Sequence, residues 1–123
     1  MMGQEEFGVR TRKMAVRVIA LAQALPKTFV GRHIGAQRVR SGTAVGANYC
    51  EARGAESRAD FTHKMQVTLK ELRETAYWLE IARDAGLIPG ARLLPLMNEV
   101  NELTAICVKS VLTAKANTRR ETA

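Results

Sequence analysis

Large apolar residues recur along this chain every three or four positions rather than every second one, the period of helices buried on one face. Four segments carry that period, with Pro and Gly between them. In the first, Met14, Val18, Leu21 and Leu25 form one stripe. Pro26 predicts its end near Leu25, because proline disfavours helical geometry in the residue before it. The second runs from about Phe29 to Arg53, with Ile34, Val39, Val45 and Tyr49 as its apolar positions and Gly31, Gly35, Ala36, Gly42, Ala44, Gly46 and Ala47 between them. Each glycine inside a helix costs roughly 0.5–1 kcal/mol against Ala. The segment therefore either breaks near Gly42 to Gly46 or is one helix that a neighbour approaches closely, and the single helix is the expectation. The third holds Phe61, Met65, Thr68, Leu72, Thr75 and Leu79 at alternating spacings of four and three, a bundle seam that Val67, Trp78 and Ile81 widen. Ser57, three residues before Asp60, reads as its N-cap, and Gly86 as a left-handed C-terminal cap followed by Pro89. In the fourth, from roughly Ala91 to Ala114, Leu93, Leu96, Val100, Leu103, Cys107, Val111 and Ala114 recur throughout, with Pro95 confined to the first turns.

No alternation of period two survives over five residues, and no internal repeat is visible. The expected fold is all-α, an antiparallel up-down four-helix bundle, with one domain over residues 1–114 and a frayed tail over 115–123. At 123 residues, 46% apolar and 25% charged, the chain can bury a core without staples. Aromatics are only 5%, so that core is mostly aliphatic. Met1 to Arg17 has no apolar run of the signal-peptide kind, and the nearly uncharged stretch Val18 to Pro26 is too short to span a bilayer. Cys50 and Cys107 then read as packed or free thiols, and the expected location is cytoplasmic.

The net charge of +7 changes the picture because it is unevenly placed. Residues 1–50 hold eight Lys/Arg and two acids, residues 51–102 seven and nine, and residues 103–123 four and one. Such asymmetry points to a polyanion or an acidic protein as partner, against the plain alternative of solvated helix faces. Arg10, Lys13 and Arg17 form one stripe beside the apolar stripe of the first segment. Arg32 and Arg40 lie roughly on one side of the second, with Arg38 displaced around it. Lys109, Lys115, Arg119 and Arg120 add charge at the far end. In an up-down bundle both chain ends share one end of the molecule, so the first helix and the tail can combine into one basic surface. Such a surface binds phosphates by counterion release and reads no base sequence.

Other chemistry finds little support in the residues. His33 and His63 are the only histidines, and neither follows a Glu by three, as a di-metal bundle requires. Glu71 and Glu74 share a face without a histidine companion. Cys50 has only Arg53 nearby to lower its pKa. There is no G-x-S-x-G elbow and no P-loop. The expectation is no catalytic residue, no metal and no cofactor. Trp78 reads as core and Tyr77 as an interface contact.

The run from Arg38 to Ala52, RVRSGTAVGANYCEA, resembles the hallmark of a bacterial four-helix-bundle family known from proteins encoded in intervening sequences of 23S ribosomal RNA genes. Ala55 to Lys64, Lys70-Glu71, Glu74-Thr75, Tyr77 to Glu80 and Ala85 to Leu87 agree in order, so the likeness covers roughly residues 10–115. The accessory variability proteins of diversity-generating retroelements are similar in fold. The resemblance implies an up-down bundle assembled as a homopentameric ring. In the retroelement members it implies nucleic-acid binding and association with a reverse transcriptase. Arg40, Asn48, Glu51, Glu71 and Glu74 match the family's polar positions, and the resemblance suggests a hydrogen-bonded network between helices rather than an active site. The candidate nucleic-acid contacts are Arg10, Lys13, Arg17, Arg32, Arg38, Arg40, Lys115, Arg119 and Arg120. The expected function is that of a non-enzymatic accessory protein binding RNA or DNA through phosphates. The alternative is an oligomeric scaffold for an acidic protein partner, such as a reverse transcriptase, without nucleic-acid contact.

Overall fold

The computed structural model describes residues 3–122, with side chains through residue 120. Met1, Met2 and Ala123, the outermost residues of the expected domain and tail, lie outside the described residues. Four helices follow one another: α1 (Gln4–Gln23), α2 (Phe29–Arg53), α3 (Arg58–Asp84) and α4 (Gly90–Thr122). Among the described residues there is no strand.

The helix ends follow local chemistry. Thr28 caps α2 by accepting a hydrogen bond from the Gly31 amide at 3.1 Å, and Ser57 caps α3 by accepting from the Asp60 amide at 3.0 Å. Gly86 closes α3 with φ of 69°, a left-handed conformation that glycine adopts without strain. Pro95 stands six residues into α4, early enough for the helix to continue past it. The expected frayed tail is not what the structure shows: α4 remains helical to Thr122. Beyond Ala114 its residues no longer fill the core. Lys115, Thr118 and Arg119 instead line a groove with the start of α3.

Each helix packs antiparallel to the next. Gly46 meets Thr11 and Gly35 meets Ala22 across α1–α2. Arg40 meets Glu71, and Lys64 meets Glu51, across α2–α3. Cys107 Sγ lies 3.6 Å from the Met65 carbonyl oxygen across α3–α4. Helix α2 is continuous through its glycines, and the reason is the close neighbour. A Cβ on Gly42 would stand 3.0 Å from Val18 Cγ1 and 3.2 Å from Val18 Cβ, so only glycine lets α1 lie this close.

Met14, Val18, Val45, Met65, Leu72, Leu79, Leu93, Leu96, Val100 and Leu103 are all buried at the bundle axis. Each such side chain contributes about 1.5–3 kcal/mol by leaving water. The α1–α4 seam is the least extensive of the four. Towards the chain ends it opens into a cavity of about 530 Å³ lined by Phe7, Tyr49, Phe61, Met65, Ile106 and Cys107 among others. Among the described residues, no helix is long and apolar enough to cross a membrane.

Candidate nucleic-acid interface

The structure divides the nine candidate cations by what surrounds them. Three are taken up by the fold. Arg10 reaches from α1 to α4, where Nε donates to Glu99 at 3.0 Å and Nη2 pairs with Glu102 at 3.1 Å. The Glu99 hydrogen bond is the main reason that the Arg10 pKa is raised, and Arg10 in turn holds the Glu99 carboxyl below the ordinary carboxylate range. Arg40 bridges α2 to α3 through Glu74 and, at 3.5 Å, Glu71. Glu74 also accepts from Trp78 Nε1 at 3.5 Å, and its carboxyl is lowered chiefly by Arg40. Arg38 is fully buried. Its guanidinium cannot reach a phosphate at the surface, so the expectation for Arg38 is corrected. It lies on the interior stripe with Ile34, Ser41 and Val45 rather than on an outer face.

The polar network is smaller than expected. Arg40, Glu71 and Glu74 come together, with Gln37 3.5 Å from Arg40 Nε. Asn48 instead donates to the carbonyl oxygen of Ala44 on its own helix at 2.8 Å. Glu51 pairs with Lys64 at 3.6 Å, further down the α2–α3 flank. Both are correctly helical but too far along the bundle to join Arg40.

Six candidates remain exposed: Lys13, Arg17, Arg32, Lys115, Arg119 and Arg120. Arg32 donates to the carbonyl oxygen of Lys27 at 3.2 Å, and Arg17 helps to lower Glu99. Lys115 and Arg119 line a groove of about 330 Å³ between the end of α4 and the start of α3, together with Thr62, His63, Gln66 and Thr118. Among the described residues, no carboxylate lines it. Lys115 and Arg119 therefore share a groove with α3 rather than with the stripe of α1, and the single basic end expected from chain topology separates into two surfaces. The second is the outer face of α1, where exposed Arg12 adjoins Lys13 and Arg17 around Val16, itself 62% exposed.

His63, Gln66 and Arg12 were not singled out by sequence as contacts. The up-down topology itself is the signal for His63, since it sets the first turns of the third helix beside the last turns of the fourth. Cys50 is exposed and Cys107 buried, and burial pushes the Cys107 thiol up to about 11. A thiol so placed stays protonated at neutral pH.

These features define a class: a basic up-down four-helix bundle with its excess cations on the outer faces. The chain belongs to the 23S rRNA-intervening sequence protein family, whose model matches residues 7–109. It is also similar to a crystal structure of a protein of unknown function from the S23 ribosomal protein family of Bacteroides thetaiotaomicron. That likeness has a TM-score of 0.79 at 34% identity and covers 85% of this chain and 97% of that one. A comparison with curated proteins found no match.

Proposed function

We propose that this protein is a non-enzymatic helical-bundle accessory factor that binds RNA or DNA through phosphate contacts, with little preference for sequence. The observation that carries this reading is the groove between α3 and α4, lined by His63, Gln66, Lys115 and Arg119 and, among the described residues, by no carboxylate. Cations so placed neutralise backbone phosphates and release counterions, while carrying no information about bases. The outward cations of α1 supply a second patch. Self-association, which the family resemblance implies as a ring of five, multiplies such weak contacts. The test is a mobility shift of the full chain with unrelated single-stranded RNA and DNA sequences of equal length. Similar shifts for all of them are expected, and either no shift or a shift for one sequence alone overturns the reading.

A second reading has its own observation. On the α2–α3 flank Val30 is 53% exposed, Tyr77 52% and Phe29 82%, with Trp78 half-buried against His33 and Tyr77. Apolar exposure of this kind suits a protein neighbour, either a second copy or an acidic partner. A bundle that oligomerises normally yet leaves every nucleic acid unbound would favour this scaffold role.

A further inference from the structure

The fold encloses one positive charge and gives it no counter-group. The Arg38 side chain is fully buried, and among the described residues no protein atom accepts a hydrogen bond from its Nε, Nη1 or Nη2. A guanidinium presents five N–H donors in a fixed fork. The buried hydroxyls are turned elsewhere: Ser41 Oγ donates to the Gln37 carbonyl oxygen at 3.0 Å, and Thr75 Oγ to that of Glu71 at 2.8 Å. Glu71, the buried carboxylate, is engaged by Arg40. Burial alone pushes the Arg38 pKa down to about 10, which still leaves the group cationic at neutral pH. An unpaired charge in a low-dielectric interior is among the most costly features a fold can carry.

We propose that the bundle core holds a small monovalent inorganic anion, of the size and charge of chloride, against the Arg38 guanidinium. Three considerations select this class. Charge balance calls for a negative partner, because water satisfies N–H donors but leaves the positive charge uncompensated. Size limits that partner, because the grooves of the molecule are lined by other residues, and Arg38 lies fully buried on the interior stripe of α2 with Ile34, Ser41 and Val45. Single charge keeps the cost of dehydrating the anion low enough for one guanidinium to offset. Entry needs only local opening of the bundle, for which the less extensive α1–α4 seam is the natural route. The site stands apart from the outer cations and from any nucleic acid they bind.

The experiment compares thermal unfolding of the full chain in sodium gluconate, chloride and bromide at equal ionic strength, with crystals grown in bromide to locate the ion by anomalous scattering. Chloride and bromide are expected to raise the wild-type melting temperature in a saturable way, on the order of 5 °C over gluconate. The Arg38→Met chain is expected to lose that response and, in gluconate, to melt no lower than the wild type. A bromide peak is expected within hydrogen-bond distance of the guanidinium. A wild-type melting temperature that is the same in all three salts overturns the proposal. So does an equal halide response in Arg38→Met, or an anomalous map with no peak beside Arg38. Should Arg38→Met fail to fold, the anomalous map decides alone.

Discussion

The α2–α3 flank and the α3–α4 groove are built from the same residue types and do opposite things. On the flank Arg40 faces Glu71 and Glu74 across the helices, and the charges cancel where they meet. In the groove His63 and Lys115 lie with threonines and an amide, and among the described residues nothing acidic lines the space. Net charge alone treats these arginines and lysines as equivalent. Their neighbours across the bundle separate Arg10 and Arg40, paired with carboxylates on another helix, from Lys115, whose groove has none among the described residues. The contrast also separates two kinds of partner. In the proposed function the flank, with Tyr77 and Val30 exposed beside its ion pairs, is the surface for a protein and the groove the surface for phosphates.

Both regions depend on the bundle behind them, so the largest expected effect comes from breaking it. In Gly42→Leu a side chain extends from a point where Cβ alone already stands 3.0 Å from Val18 Cγ1. Stability is expected to fall by about 3 kcal/mol, read by denaturant unfolding. Adding Val18→Ala is expected to recover part of the loss, because the two positions share one space.

The next test addresses the comparison itself. Lys115→Glu is expected to weaken nucleic-acid binding by on the order of tenfold at low salt, about 1.4 kcal/mol, with the melting temperature nearly unchanged. Arg40→Gln is expected to do the reverse, leaving affinity within about twofold while lowering stability. If the two variants lose affinity alike, the division between flank and groove fails.

A smaller effect in the opposite direction sharpens the same point. Glu71→Gln with Glu74→Gln removes the carboxylates that engage Arg40. Affinity is expected to rise about two- to threefold, because one more cation then faces solvent. Fluorescence anisotropy with a labelled single strand measures it.

The smallest effect is on acid stability. In the folded protein Glu74 and Glu99 titrate below the ordinary carboxylate range, because Arg40 and Arg10 hydrogen-bond their charged forms. The unfolded chain therefore binds more protons within that range. The stabilisation is complete at neutral pH and is lost as pH falls through the ordinary range towards the lowered folded values. Glu74→Gln with Glu99→Gln is expected to flatten the acid limb of the stability–pH curve by about 1 kcal/mol or less, since both pairs are partly exposed.

Much of the fold was legible in the sequence because it rests on local periodicity. The stripe of Met65, Thr68, Leu72, Thr75 and Leu79 is buried as its spacing requires. The glycines of α2 mark a close approach, and Val18 is what approaches Gly42. The site was less legible, for two reasons. Arg10 meets Glu99 across 89 positions, and no local pattern announces a partner that only the closing of the bundle supplies. Arg38 shares the interior period of Ile34, Ser41 and Val45, so its place was written in the spacing. Arginine is so seldom fully buried that residue type outweighed period in the reading. The tail misled in the other direction. It has no apolar residue larger than alanine, yet α4 continues through it to Thr122.

Affinity for an unstructured single strand as a function of potassium chloride concentration, compared between the wild type and the Lys115→Glu chain, tests phosphate binding in the groove most directly. Phosphate binding by the exposed cations requires the wild-type logarithmic plot to be linear and steep, with a slope of roughly −3 or more negative, and the variant slope to be shallower by about one to two. A salt-independent affinity, or identical slopes for the two chains, would contradict it.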